Sequence, residues 1–299
     1  MGKYKIKNGL YVVTTTPFTK KGNLDENAIR QNVDWYIEKG VDGIDCTGST
    51  GEFDKLSDEE RRKVIEITVD QVGGRVCVLA GTGGRSTKEA VEWTKFAKEA
   101  GVDGAMVIPP YYNPLTADEI YSYYQSIAET VDLVIMPYNN PVTSGIDMQP
   151  ELISKMAREI ENIAYVKEAS GDPRRVQQIS YLAGDNITLF WGEETAIFPA
   201  LALGAQGWIS GSSNIIPDKC KMLFDMLVKD GNIEEARVFH RKLLPLLLEC
   251  EGDRWLPVIK AGMDIRGESV GGPLREPVLP LNRKEKQRVR EMITEALRS

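Results

Sequence analysis

The chain holds a single histidine, His240, in 299 residues. A catalytic zinc site commonly takes two or three histidine ligands from its chain, and a Ser-His-Asp triad needs one at the right place. No HExxH and no spaced carboxylate-histidine cluster is present, so metal-dependent chemistry is not expected. His240 falls in a helical stretch and reads as a surface or packing residue. Cysteine is scarce too: Cys46, Cys77, Cys220 and Cys250 stand far apart with no CxxC pair, the pattern of reduced thiols in a cytoplasmic protein. No run of about 18 apolar residues exists, so no membrane span is expected. The start MGKYKIKNGL has neither the apolar core of a secretory signal nor the Ser or Thr of a myristoylation motif, Ile6 standing there instead. Positive charge is in deficit, 37 Lys+Arg against 44 Asp+Glu for a net −7, which argues against a nucleic-acid partner. Yet 42% of the residues are hydrophobic, enough for a large core.

Short β-branched runs alternate with helical patterns. Strands are expected near 11–15, 43–46, 75–80, 105–108, 133–137, 163–167, 187–191 and 207–210. Helices between them are expected near 25–39, 57–72, 86–100, 116–129, 149–159, 173–182 and 195–203, with Asp25 as an N-cap. Gly40-Val41-Asp42-Gly43, Gly101-Val102-Asp103-Gly104 and Gly204-Ala205-Gln206-Gly207 recur at helix-to-strand junctions. In each, the first glycine can end the helix in a left-handed conformation and the second can let the strand start close to the helix. Eight such units predict an α/β (β/α)8 TIM barrel over residues 1–230. Residues 231–299 show no strand pattern and read as a C-terminal helical extension, with helices near 233–251, 255–263 and 283–297.

In such a barrel the active site lies at the C-terminal strand ends. Lys167 follows the apolar run Ile163-Ala164-Tyr165-Val166, so its amine should rise from the interior into the mouth. Desolvation favours a neutral lysine amine, which attacks a carbonyl to form a Schiff base; the alternative is a strand-end lysine paired with Glu168. Tyr138 ends the neighbouring strand, as a proton relay or as a packed aromatic lid. Gly48-Ser49-Thr50-Gly51 is an anion-binding turn or an ordinary glycine turn. Gly81-Thr82-Gly83-Gly84-Arg85 fits neither nucleotide motif, and Asp58-Glu59-Glu60-Arg61-Arg62-Lys63 reads as a solvated helix face.

Four motifs in register over nearly the whole chain resemble the dihydrodipicolinate synthase and N-acetylneuraminate lyase family. They are Gly48-Ser49-Thr50-Gly51-Glu52, Pro110-Tyr111-Tyr112, Tyr138-Asn139-x-Pro141 with Gly145, and Val166-Lys167-Glu168-x-Ser170-Gly171-Asp172. The resemblance implies a class I lyase that holds pyruvate or a longer 2-oxo acid on a lysine without a cofactor. It also implies a homotetramer, a dimer of dimers. By matching position, Lys167 is the Schiff-base lysine, Tyr138 the relaying tyrosine, and Ser49 its hydroxyl partner. Ser49 and Thr50 would bind the carboxylate, Tyr112 would complete the relay across a subunit interface, and the Ile209 carbonyl would face the site.

One departure bears on substrate. Where dihydrodipicolinate synthases carry an Arg that pairs with the second substrate's carboxylate, this chain has Thr143. Losing a bidentate clamp should cost on the order of 2–5 kcal/mol if the same dianion had to be held. Glu193 and Glu194 would instead offer carboxylates to hydroxyls. The sequence therefore points to a hydroxylated 2-oxo acid, cleaved, dehydrated or deaminated. A 4-hydroxy-tetrahydrodipicolinate synthase, an N-acetylneuraminate lyase and a non-catalytic 2-oxo acid sensor are the alternatives.

Overall fold

The structure is a computed structural model and describes residues 4–298. Eight parallel strands close into a barrel in sequence order: β1 Leu10–Val13, β2 Gly43–Cys46, β3 Cys77–Gly81, β4 Gly104–Val107, β5 Val134–Asn139, β6 Tyr165–Glu168, β7 Thr188–Trp191 and β8 Gly207–Ser210. The intervening helices are α1 Glu26–Glu38, α2 Asp58–Val72, α3 Thr87–Ala100, α4 Ala117–Thr130, the short α5 Pro141–Ser144, α6 Pro150–Glu159, α7 Arg174–Ala183, α8 Ile197–Ala202 and α9 Pro217–Val228. The fold is the expected (β/α)8 barrel with a C-terminal helical extension. Neither α5 nor α9 was expected as a separate helix. The first is a single turn nucleated by Asn140 and Pro141, and the second starts on Ile216-Pro217 beyond the last strand pattern.

Local chemistry sets the helix starts. Asp25 accepts from the Ala28 N–H as predicted, and Ser57 with Glu60 and Thr116 with Glu119 form capping boxes. The first glycines of the three repeated junctions, Gly40, Gly101 and Gly204, have φ of 86°, 96° and 107°, which an L side chain resists. The second glycines serve a purpose other than the expected close helix approach. A Cβ on Gly43, Gly104 or Gly207 would lie 2.1, 2.8 or 2.2 Å from Tyr11, Leu79 or Phe190 inside the barrel. They make room for large interior side chains.

Two apolar cores result. One lies between strands and helices and runs on into the extension through Leu243, Leu246, Val258 and Met263. The other fills the barrel with Tyr11, Leu79, Met136, Phe190 and their neighbours. The strand register resolves that interior into layers drawn from alternate strands. Tyr11, Leu79, Met136 and Phe190 form one layer; Asp45, Met106, Lys167 and Ile209 form the next towards the mouth; Val13, Gly81, Tyr138 and Gly192 cover it.

After Gly231 come α10 Ile233–Glu251, α11 Trp255–Arg266 and α12 Arg283–Arg298. They pack on one another, and α10 also lies against α8 and α9. Among the described residues no helix is long and apolar enough to cross a membrane.

Candidate active site

Lys167 sits on the inward parity of β6 and is 3% exposed. Its Nζ lies 4.0 Å from the centre of the Tyr138 ring on β5, the strand paired beside it. A Cβ on Gly192 would fall 2.5 Å from Lys167 Cε, so that glycine, at the end of β7, leaves the path along which the lysine reaches the mouth. The rival ion pair with Glu168 is absent. Glu168 points the other way and accepts from Asn139 Nδ2 at 3.0 Å and from the Ser170 N–H at 2.7 Å, with Arg175 4.0 Å away.

A pocket of about 300 Å3 opens above this lysine. It brings together Ser49, Thr50, Tyr138, Thr143, Lys167, Glu193, Glu194 and Ile209, eight of the nine residues singled out from sequence. Tyr138 Oη accepts from Asn140 Nδ2 at 2.8 Å, which fixes the phenol's direction. Ser49 and Thr50 occupy a 3-10 turn, Ser49–Gly51. Two non-glycine residues with left-handed backbones flank it, Thr47 at φ 54° and Glu52 at φ 55°. Each such residue stores roughly 1–3 kcal/mol and needs the surroundings to hold it. Those surroundings are visible. Thr47 Oγ1 donates to the Gly81 carbonyl at 3.1 Å, and the fully buried Glu52 carboxylate accepts from Lys260 Nζ of α11 at 2.7 Å. Burial lowers the Lys260 pKa, opposed by Glu52.

Tyr112 is 89% exposed and does not line the pocket of its own chain; it lies over a surface groove with Arg85 and Asn113. Glu193 and Glu194 line the pocket, but the chain's own donors engage their oxygens. Glu193 accepts from the Thr195 and Ala196 N–H groups at 2.8 and 2.7 Å ahead of α8. Glu194 accepts from the Gly211 and Ser212 N–H groups and from the Ser210 and Ser212 hydroxyls. Burial raises the Glu194 pKa, and those hydrogen bonds work against the rise. One expectation needs correction, that of Arg61 as part of a solvated helix face. Arg61 is buried, donates to the Gly81 and Gly83 carbonyls and stacks 4.2 Å from the Trp93 ring. It tethers the end of β3 to α2.

Sequence reasoning passed over the far wall, which comes from the extension: Cys250, Glu251, Trp255 and Ile259. Glu251 accepts from the Glu194 N–H at 3.0 Å. Burial first, then the neighbouring Glu194 charge, pushes its carboxyl up to about 7. Its one sequence signal is its place three residues past the apolar run Leu243–Leu248. His240 is a packing residue, its ring 5.4 Å from that of Phe198, and burial lowers its pKa.

Residues 7–296 match the model of the dihydrodipicolinate synthetase family. The chain is 38% identical over 285 residues to a 4-hydroxy-tetrahydrodipicolinate synthase of Syntrophus aciditrophicus (strain SB), covering 95% of this chain and 97% of that one. It is 43% identical over 238 residues to one from Geotalea uraniireducens (strain Rf4), covering 80% and 81%. Among solved structures, dihydrodipicolinate synthase from Thermotoga maritima superposes with a TM-score of 0.93 at 29% identity, covering 98% of this chain and 99% of that one. A prophage protein of the dihydrodipicolinic acid synthase family from E. coli K12, solved with pyruvate, gives 0.92 at 30% over the same shares. Barrel and relatives together define a lyase of the class I, Schiff-base-forming aldolase type. The chain belongs to the dihydrodipicolinate synthetase family.

Proposed function

We propose that Lys167 forms a Schiff base with pyruvate or a longer, hydroxylated 2-oxo acid, and that the enzyme cleaves, dehydrates or deaminates that acid without a cofactor. The observation that carries this reading is a lysine held almost dry over a tyrosine ring at the foot of an open pocket. In the reading, Nζ attacks C2 of the acid, the oxygen leaves as water, and the iminium draws electrons from the adjoining bond. Tyr138 and Ser49 carry the protons. The Ser49–Gly51 turn takes the carboxylate, and the Ile209 carbonyl faces the adduct. Beyond the lysine the pocket walls are Val142, Thr143, Glu251 and Trp255, and among the described residues no second cationic side chain lines it. A neutral, hydroxylated far end suits such walls better than a carboxylate does. Tyr112, exposed and outside the pocket, is assigned to the site of a second copy in a homotetramer. The four thiols, all free, suit a cytoplasmic setting.

The test is turnover of a panel of 2-keto-3-deoxy sugar acids, N-acetylneuraminate, a cyclic imino acid, and aspartate semialdehyde with pyruvate. Release or dehydration of a hydroxylated 2-oxo acid supports the reading. The names of the curated relatives favour a second one, 4-hydroxy-tetrahydrodipicolinate synthase. Efficient condensation of pyruvate with aspartate semialdehyde, and no other turnover, would establish that activity despite Thr143.

A further inference from the structure

We propose that Asp45 is the internal counter-charge of the Lys167 Schiff base, a positioning residue that holds positive charge on Nζ from inside the barrel. The proposal rests on the Schiff-base reading above and adds a residue to it.

Asp45 lies on the inward parity of β2, between the outward Ile44 and Cys46, and is 0% exposed. The register puts it in the same layer as Lys167, on the strand diametrically opposite β6, with the apolar Met106 and Ile209 completing the layer. Through the three layers from Tyr11 up to Gly192, Asp45 is the one carboxylate and Lys167 the one amine. Neither Asp45 oxygen has a hydrogen-bond partner, and buried polar groups are rarely left so. Among the described residues no cap, turn or ion pair accounts for this acid. One oxygen comes within 3.6 Å of where a Cβ on Gly48 would stand, so the carboxylate sits directly beneath the Ser49–Thr50 turn.

The chemistry supplies a need for it. A neutral amine, a ketone and one proton give an iminium cation and water, so adduct formation leaves a positive charge at Nζ in a dry layer. A fixed carboxylate across the axis offsets that charge. Burial pushes the Asp45 carboxyl up to about 7, and the Lys167 charge opposes the rise. The other titratable groups near Asp45 are Tyr11 in the layer beneath and Cys46 on the outer face of its own strand. Lys167 also faces Tyr138 and, from the mouth, Glu193, Glu194 and Glu251. All three of those acids accept from the chain's own donors.

The test is borohydride trapping of pyruvate by the full chain across about pH 5 to 9, wild type against Asp45→Asn. Removing the counter-charge should move the alkaline fall in trapped adduct to lower pH by about one unit, an approximately tenfold loss of adduct on that limb. Superimposable profiles would overturn the proposal. Should Asp45→Asn not fold, the infrared difference spectrum of Glu251→Gln near pH 6 decides. Adduct formation should remove a protonated-carboxyl band in that variant as in the wild type. A band lost only when Glu251 is present would overturn the proposal. A wild type that traps no adduct overturns the Schiff-base reading and this one together.

Discussion

Lys167 owes its reach to a glycine just past the end of the next strand. Gly192 leaves the space that Cε occupies, so a single methyl there would contest the lysine's path at 2.5 Å. Gly192→Ala should leave the helix signal in circular dichroism intact and reduce borohydride-trapped adduct by about a hundredfold, the scale of a misplacement near 1 Å. Asp45 makes a prediction about stability. Its folded pKa, about 7, lies above the unfolded value of about 3.9. The folded state therefore binds the proton more tightly, and its contribution is complete below about pH 4 and lost as pH rises to about 7. The loss is roughly 1.4 kcal/mol per unit of separation. Asp45→Asn should thus raise the melting temperature by several degrees near pH 8, with the gap closing towards pH 4, as thermal scans at both pH values would show.

The Gly48–Glu52 turn depends on an element more than 200 residues away in sequence. Lys260 of α11 is 1% exposed and gives its ammonium to Glu52, the Thr16 carbonyl and the Pro273 carbonyl. Lys260→Met would strand the Glu52 carboxylate in the interior. It should cost about 3–5 kcal/mol in chemical denaturation and raise the KM for 2-oxo acids through a loosened turn. This connection marks where sequence legibility stops. Strands and helices could be read because their periodicity is local, and Lys167 and Tyr138 because strand ends meet the mouth in any such barrel. Glu251, Trp255 and Ile259 belong to helices whose own apolar faces say nothing of the pocket they close. The engagement of Glu194 was equally hidden, since Ser210 and Ser212 meet it only after the β7 and β8 ends fold together, whereas Glu193 is held within its own turn by Thr195 and Ala196. Asp45 carried a signal that could have been used: an acid at an inward position of a strand that is otherwise apolar or glycine.

At the scale of the whole molecule, the barrel supplies the lysine, the helical extension supplies the far wall, and Tyr112 remains outside. In the proposed assembly, Tyr112→Phe and Lys167→Ala chains are each impaired, and subunit exchange between them should recover turnover, because one mixed site holds both residues. No recovery after exchange confirmed by native mass spectrometry would mean that each chain works alone. The central claim, covalent chemistry at Lys167, has a more direct test. Incubation with pyruvate and borohydride, followed by intact mass and peptide mapping, should add the mass of pyruvic acid less one oxygen atom. The account predicts that the mass lies on the peptide containing Lys167 and vanishes in Lys167→Ala; an unmodified wild type, or an adduct that persists in Lys167→Ala, would contradict it.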